Sequence, residues 1–348
     1  MNVMENVSNR IKQVVQKEYG LEVNSLEKAT VGAGSDIWFV TCKEGRYVMK
    51  YPCESEMNHP RQEPMLCEYL IKSGIPACQF LKNRQGEYLS KDSNGRTFHV
   101  QRFLEGQMYE WNTAPKWLLM ESAAMLGRIH TVLKNYRGLP IGIGEDYFRY
   151  MTPENALRSY EDSLRIAMEQ KDVEVMEDLQ YRIELMKRFP KYKFDIKRLT
   201  CQSTHGDYFI SQLLCGEDKI QAVIDWTTAC VHPVVWEIVR SYVYAASSCK
   251  EGEIDIEEFV LYVGEYCKYA ELSDYDIDNM AAVFYYQIAV CDYYGQYYGA
   301  KADNRYIYLQ QAKLSTKLLK WFEKNEEELK QCLRQYLKKQ SLQVIGRQ

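Results

Sequence analysis

The chain has 348 residues, of which 46% are hydrophobic and 26% are charged, with a formal net charge of −4. This length suggests about two packed units, and the composition excludes a disordered or collagen-like chain. The charge argues against a basic nucleic-acid binder, and the sequence has no apolar run of about 18 residues that would predict a transmembrane helix. We therefore expect neither nucleic acid nor a membrane as a partner.

The eleven cysteines are scattered along the chain. Their number is odd and no two of them form a CxxC pair, so the sequence indicates neither a disulfide framework nor a zinc site. Residues 1–16 have polar and apolar residues at helical spacing instead of the apolar centre of a signal peptide. Both observations predict a cytoplasmic protein with reduced cysteines.

The sequence pattern of the first third of the chain mainly predicts β-strands. Residues 3–19 have the spacing of an amphipathic helix, and the apolar runs on either side of a KEG turn predict an antiparallel hairpin within 29–52. Helical spacing returns over 61–73, and from 79 to 106 QG and NG turn signals separate further strands. Residues 1–104 are therefore predicted to form a small antiparallel β lobe with one helix.

The remainder of the chain is mainly helical in texture. Helical spacing extends over 115–136, over 153–189 and from 234 to 342. The pattern breaks over 199–229, where ISQLLC and QAVIDW predict two short strands around a GED turn. We expect residues 105–348 to form a larger helical lobe that carries this hairpin, which makes the fold class α+β.

The strongest chemical signal is the motif HGD, which ends at Asp207, followed by Gln212 and then by IDW, which contains Asp225. Phosphoryl transfer needs one carboxylate to orient and deprotonate the attacking hydroxyl, and a second carboxylate with an amide oxygen to hold Mg²⁺. Asp207 and Gln212 share one loop and Asp225 follows a short hairpin, which predicts the two acids on neighbouring strand ends. Asp207 is the predicted base, and Gln212 and Asp225 are the predicted metal ligands.

The upstream part of the chain supplies the groups that such a reaction still lacks. Lys50 lies in the strand YVMKY, where it is predicted to pair with nucleotide phosphates. Glu63 opens the following helix and is predicted to hold Lys50 by an ion pair. Glu68, on the same helix, is the competing partner for Lys50, although it faces a largely different direction.

These motifs resemble those of a known family. In the segment GAGSD, Gly32, Gly34 and Ser35 would let backbone N–H groups approach a phosphate. The order GAGSD, VMK, a Glu-led helix running into GIPA, HGDxxxxQ and IDW resembles the aminoglycoside phosphotransferase and choline kinase-like family, over roughly residues 25–245. The segment FHVQRFLEG resembles the hinge between the lobes of these proteins, which implies that the purine edge lies near Gln101 to Phe103.

The resemblance implies a two-lobed, protein-kinase-like fold and a small-molecule kinase. It implies that ATP or GTP, with Mg²⁺, donates the γ-phosphoryl group to a hydroxyl of a small molecule. Within the family, the sequence most resembles the homoserine kinase type II and spore-coat kinase-like branches. The sequence leaves the acceptor and the oligomeric state open. Acidic and aromatic residues over 257–279 suit a cationic acceptor, and a solvated helix face explains the same acids equally well.

The chain also departs from the family pattern. Gln212 stands where relatives usually have Asn, and this favours an alternative: a weak or inactive kinase-like protein with a structural or spore-coat-associated role. After IDW, where many relatives have an aspartate close by, Glu237 is expected to take that part and to pair with Arg240.

Four of the five histidines are expected to have structural or surface positions and not to be catalysts. His205 is expected to bond the loop backbone and so fix the position of the acid. His130 is expected to be a packed helix residue that matches a helix of the family's second lobe. His59 and His232 are expected at the surface or in turns.

Overall fold

The computed structural model describes residues 3–29, 35–53, 61–189, 194–300 and 305–345, with 3–6 and 340–345 described by their backbone alone. The described residues form nine strands: β1 (Val23–Lys28), β2 (Asp36–Cys42), β3 (Gly45–Tyr51), β4 (Ser90–Lys91), β5 (Thr97–Arg102), β6 (Cys201–Thr204), β7 (Leu213–Cys215), β8 (Ile220–Val223) and β9 (Cys230–Pro233). They form eleven α-helices: α1 (Val3–Tyr19), α2 (Gln62–Lys72), α3 (Lys116–Leu133), α4 (Glu145–Tyr150), α5 (Pro153–Gln170), α6 (Val173–Arg188), α7 (Val234–Ala245), α8 (Ile256–Tyr266), α9 (Asp274–Val290), α10 (Tyr293–Gly299) and α11 (Arg305–Ile345).

These elements belong to two compact units. The first unit comprises the described residues within Met1–Met108 together with Gln212–Ala229, and the second comprises those within Tyr109–Ser211 and Cys230–Gln348. The first unit is therefore discontinuous in sequence, because it includes the hairpin of β7 and β8. The division at residue 104 suggested by the sequence stays a prediction.

The first unit is built on a five-stranded antiparallel sheet with the order β1-β2-β3-β5-β4. Strands β2 and β3 pair from Asp36↔Tyr51 to Cys42↔Gly45, so the predicted hairpin is confirmed. Strand β1 lies at the sheet edge and has no fully buried residue, which is why its mostly polar sequence gave no strand signal.

One face of this sheet packs on α1, the predicted N-terminal helix. Ile11, Val14 and Val15 recur at helical spacing and lie in one buried cluster with the inward-facing residues of three strands. That cluster includes Trp38, Val40, Met49, Tyr51, Phe98 and Val100. Alternate residues of β2 are buried, as expected for a strand with one face on a core, whereas β3 buries Lys50 as well as its inward-facing residues.

Helix α2 confirms the helix predicted over 61–73. Pro64 lies in its first turn, where a missing N–H costs no hydrogen bond. Ser73 ends the helix, and Gly74 follows with φ of 82°, a left-handed conformation that favours glycine. The buried face of α2 includes Glu63, which brings an acid into the interior of the first unit.

The hairpin of β7 and β8 is fastened to the first unit by backbone hydrogen bonds. Gln107 and Cys215 exchange two bonds of 2.8 Å, and the Val223 N–H donates to Pro76 O at 2.9 Å. These bonds hold the hairpin in place on either side of its turn. The residues that flank the hairpin, Gln212 and Asp225, therefore belong to the same unit as Lys50.

The second unit is mainly helical, with a two-stranded antiparallel sheet of β6 and β9. The helical stretch predicted over 153–189 is two helices, since Lys171 takes a left-handed conformation (φ 57°) after α5. Asp172 then caps α6 by accepting a hydrogen bond from the Val175 N–H. An Asp directly before an apolar-periodic run is a helix-start signal that the longer periodic pattern obscured.

The fold class is confirmed as α+β, with a small antiparallel sheet and a larger, mainly helical part. Among the described residues, no helix combines the length and the apolar character needed to cross a membrane. The longest helix, α11, carries many charged residues along its 41 positions.

Candidate functional site

Lys50 is a buried lysine in the middle of the five-stranded sheet. It lies on β3 between Ile37 of β2 and His99 of β5, and its relative exposure is 6%. Its ammonium group donates to Asp225 Oδ1 at 3.2 Å. A buried lysine charge is costly unless it is paired, so this ion pair explains how the first unit accommodates it. The structure thus brings two of the predicted site residues together.

The backbone at Asp225 is unusual for a residue with a side chain. Its φ and ψ of 60° and 63° are left-handed, a conformation that costs residues other than glycine about 1–2 kcal/mol. Trp226 anchors the turn, because its ring is fully buried and its Nε1–H donates to Val223 O at 2.9 Å. The Thr227 hydroxyl donates to Asp225 Oδ1 at 2.8 Å. The Asp225 side chain is nevertheless 44% exposed, so its carboxylate remains accessible to a ligand.

Glu63 ties helix α2 to the Asp225 turn. Its Oε1 accepts a hydrogen bond from the Trp226 N–H at 3.1 Å, and its Oε2 lies 3.8 Å from His99 Nε2. Gln62 adds a second link, because its Nε2 donates to Ala229 O at 2.8 Å. The ion pair of Glu63 with Lys50 stays a prediction. The competing Glu68 bonds the Tyr88 hydroxyl and Lys72.

His99 was not recognised as part of this cluster from sequence. It is 1% exposed, and burial, aided by the positive charge of Lys50, lowers its pKa to about 3. Its Nδ1 has no hydrogen-bond partner among the described residues. The Phe80 ring packs against the imidazole at 4.9 Å. His99 is therefore a neutral ring beside Lys50, and its position opposite Lys50 in the sheet register is the signal that would have identified it.

Gln101 and Phe103, the residues predicted at the purine edge, lie at the end of β5. Gln101 pairs with Val48 in the sheet, and its Oε1 is buried without a hydrogen-bond partner among the described residues. Phe103 packs edge-on against Phe39 at 5.7 Å. Their contact with a purine stays a prediction.

The predicted glycine loop is only partly described. Gly32 and Gly34 lie outside the described residues, as does His59. Ser35 directly precedes β2 and is half-buried. The role of this segment in phosphate binding therefore stays a prediction.

Gln212 and Asp225 flank the two ends of the β7–β8 hairpin. Leu213 pairs with Val223, and the Ile224 N–H donates to Gln212 O at 2.9 Å. Gln212 therefore lies across the hairpin from Ile224, the residue before Asp225, and both Gln212 and Asp225 are partly exposed. Amide and carboxylate oxygens are among the donors that Mg²⁺ takes, so the chemistry of these two side chains suits a divalent cation, and their role as metal ligands stays a prediction.

The HGD loop belongs to the second unit. Gly206 has φ of 82°, and its N–H donates to Glu237 Oε1 at 2.6 Å. His205 is fully buried, and its Nδ1 accepts a hydrogen bond from the Asp207 N–H at 3.3 Å. This contact agrees with the structural part expected of His205, since it holds the backbone of the residue predicted to be the base.

The predicted pairing of Glu237 with Arg240 is wrong. Glu237 is fully buried, and its Oε2 accepts from His130 Nε2 at 2.8 Å, while His130 Nδ1 lies 2.9 Å from the Tyr266 hydroxyl. Burial favours the neutral acid, but the bond and charge of His130 outweigh it and lower the pKa of Glu237. The Glu237 carboxylate accepts its hydrogen bonds from the Gly206 N–H and from His130, and Arg240 instead pairs with Asp207.

The expectation for His232 is also wrong, because it is not a surface residue. It lies on β9 with 6% exposure, and its ring meets Trp236 edge-on at 4.6 Å. Burial lowers its pKa to about 4, against an opposing effect of Glu237. His130 is buried on α3, as expected of a packed helix residue.

Comparison with known proteins agrees with these features. The model of the phosphotransferase enzyme family matches residues 25–271. A homoserine kinase from Methylobacillus flagellatus is 25% identical over 241 residues, which cover 68% of this chain and 69% of that protein.

Two solved structures share the fold at low sequence identity. An amicoumacin kinase, in complex with AMP-PNP, Ca²⁺ and Ami, superposes with a TM-score of 0.60 at 13% identity, and the match covers 91% of this chain and 96% of that one. A spectinomycin phosphotransferase, in complex with ADP and spectinomycin, has a TM-score of 0.56 at 13% identity and covers 90% and 93%. The fold is thus protein-kinase-like, and with the family model matching most of its length the chain belongs to the phosphotransferase enzyme family.

Proposed function

We propose that this protein is a small-molecule kinase that transfers the γ-phosphoryl group of ATP or GTP to a hydroxyl group, with Mg²⁺. The observation that carries the proposal is the ion pair of Lys50 with Asp225 at 3.2 Å, in a turn whose hairpin also presents Gln212. A lysine, a carboxylate and an amide are the groups that phosphoryl transfer requires around a nucleotide. We also propose that the protein acts in the cytoplasm.

Each residue has a separate task. Lys50 binds the nucleotide phosphates, and Glu63 holds Lys50 in position. Asp225 and Gln212 hold Mg²⁺, which neutralises charge on the phosphates. In the structure Lys50 and Asp225 neutralise each other, and the proposal requires them to exchange this partner for phosphate and metal respectively.

Asp207 orients the acceptor hydroxyl and takes its proton. The hydroxyl oxygen attacks the γ-phosphorus, the bond from that phosphorus to the bridging oxygen of the β-phosphate breaks, and the nucleoside diphosphate leaves. Backbone N–H groups around Gly32, Gly34 and Ser35 approach the phosphates in this proposal. Gln101 to Phe103 contact the purine.

The contacts of the acidic segment 257–279 bear on the acceptor. Asp276 is fully buried and accepts hydrogen bonds from the N–H and hydroxyl of Thr200. Glu258 accepts from the Tyr242 hydroxyl at 3.0 Å, and Asp278 pairs with Arg334. These three acids are engaged within the fold, so they give no support to a cationic acceptor.

The test is an acceptor panel assayed by ADP or GDP release with Mg²⁺. The panel contains homoserine, choline, sugars, nucleosides, aminoglycosides and spectinomycin, each with ATP and with GTP. We expect turnover with at least one acceptor, and a loss of about 10²–10⁴-fold in kcat for Asp207→Asn with nucleotide affinity nearly unchanged. Wild-type turnover from Asp207→Asn would remove the proposed base.

A second candidate is a weak or inactive kinase-like protein with a structural or spore-coat-associated role. The observation that favours it is Gln212, whose amide is one methylene farther from the backbone than that of the usual Asn. Mg²⁺-dependent nucleotide binding without turnover on any acceptor would support this candidate. Under the first candidate Gln212→Asn keeps measurable activity and Gln212→Leu loses it, because leucine removes the ligand oxygen.

A further inference from the structure

Arg240 makes a two-point contact with a single oxygen of Asp207. It lies on α7, and its Nε donates to Asp207 Oδ1 at 3.1 Å while its Nη2 donates to the same oxygen. The Arg240 side chain is 12% exposed, and that of Asp207 is 29% exposed. The guanidinium is rigid and planar, so two bonds to one atom fix the direction from which that atom is held.

Three aromatic rings hold the guanidinium in this orientation. Its carbon lies 4.8 Å from the ring centre of Tyr244, 5.3 Å from that of Phe209 and 5.5 Å from that of Trp236. Tyr244 is itself held, since its hydroxyl accepts from Gln311 at 3.0 Å. Burial works against the charge of Arg240, but the Asp207 carboxylate outweighs it and raises its pKa. Arg240 is therefore a fixed cation.

Asp207 is consequently held at its backbone and at its side chain. Its backbone N–H is bonded to His205, and its Oδ1 is bonded to Arg240. Within the described part of the chain, both side-chain contacts of Asp207 fall on Oδ1, and Oδ2 receives no hydrogen bond. The side chain is still partly exposed, so Oδ2 is the oxygen left for another donor.

We propose that Arg240 is a positioning residue that fixes the Asp207 carboxylate so that Oδ2 receives the acceptor hydroxyl. The inference rests on the proposed function, in which Asp207 is the base. Without Arg240 the carboxylate rotates freely about its side-chain bonds, and a reacting group displaced by about 1 Å costs roughly 100-fold in rate.

The test compares Arg240→Gln and Arg240→Lys with the wild-type enzyme in Mg·ATP turnover, using the best acceptor of the panel and, in parallel, water as acceptor. We expect Arg240→Gln to lower kcat by about 10- to 100-fold, with the KM for Mg·ATP within about threefold of the wild-type value. Arg240→Lys keeps the positive charge but lacks the planar guanidinium group, and we expect its kcat to lie between those of Arg240→Gln and the wild-type enzyme. If Arg240→Gln does not fold, the kcat of Arg240→Lys provides the test.

Arg128→Gln is the matched control. Arg128 also pairs with a carboxylate, Glu121 at 3.0 Å, and lies over an aromatic ring, that of Tyr269 at 4.5 Å. It belongs to the same unit but to no part of the proposed machinery. We expect its kcat to equal that of the wild-type enzyme.

A double-mutant cycle separates positioning from a merely structural ion pair. If Arg240 acts through Asp207, Arg240→Gln slows the wild-type enzyme but has no further effect on kcat once Asp207→Asn is present. An equal loss in both backgrounds, or wild-type kcat in Arg240→Gln, overturns the inference and leaves the proposed function standing. Absence of turnover in the wild-type enzyme overturns the proposed function, and this inference with it.

Discussion

Asp225 has a left-handed backbone, which asparagine tolerates better than alanine does. Asp225→Asn therefore removes the charge while it keeps the turn, and under the proposed function we expect it to lower kcat by more than about 100-fold, because the proposed metal site loses a charged ligand. The measurement is ADP release as a function of Mg²⁺ concentration, with circular dichroism as the check on folding. Thr227→Val is the control, since it removes the 2.8 Å hydrogen bond to Oδ1 and leaves the carboxylate. A loss as large as that of Asp225→Asn in this control would contradict a metal role for the charge.

His232 makes stability depend on pH. Its folded pKa of about 4 lies below the ordinary value of 6.5, so the unfolded chain binds the proton first as the pH falls. Its contribution is complete above pH 6.5 and is lost as the pH falls towards 4, and it amounts to roughly 3 kcal/mol. His232→Phe keeps a ring against Trp236, and we expect it to flatten the free energy of unfolding in urea between these pH values. An unchanged slope would show that the proton is taken up elsewhere.

The residues of the candidate site were predictable to different degrees. Asp207 and Asp225 were predicted from short motifs, because the expected phosphoryl-transfer chemistry needs two carboxylates. The partner of Asp207 did not follow, since Arg240 lies 33 positions away and a nearer acid, Glu237, stands three positions before it on the same helix. Side chains three apart on a helix face can pair, and the competing loop N–H and His130 are not visible in sequence.

Among the elements, α7 shows why helical periodicity cannot orient every side chain. All of its residues except Arg240 are buried. A helix that is buried all round has no polar face to indicate its orientation, so its position in the chain was predictable and its contacts were not. The antiparallel hairpin of β2 and β3 was predictable because turn signals and alternation coincide there.

The junction between α5 and α6 carries a prediction at the scale of the element. Lys171 ends α5 in a left-handed conformation that costs a lysine about 1 kcal/mol and costs glycine little. We expect Lys171→Gly to raise the free energy of unfolding by about 0.5–1 kcal/mol, measured by urea denaturation. Lys171→Ala removes the same side chain without relieving the backbone, and it should give no gain. Equal stabilities of the two variants would count against the strain.

For the whole molecule, the grouping of Gln212–Ala229 with the N-terminal residues predicts how fragments behave. A fragment of residues 1–108 lacks the strand bonds at Gln107 and Pro76 and the buried ring of Trp226. We expect it to unfold at lower urea concentration than the same fragment joined by a glycine-serine linker to residues 212–229. Circular dichroism measures both transitions, and coincident curves would show that the hairpin adds nothing to this unit.

The discontinuity of the first unit also sets an order of events on the ribosome. Residues 109–211 must be synthesised before the hairpin that completes the unit exists. At about 5–20 residues per second, the nascent sheet waits roughly 5–20 s for its missing part. During that interval Glu63, which the finished unit buries against the Trp226 N–H, lacks this hydrogen bond. The nascent chain therefore passes through a period in which Lys50 has no Asp225 to pair with, and a chaperone that recognises incomplete sheets could bind the chain during that period.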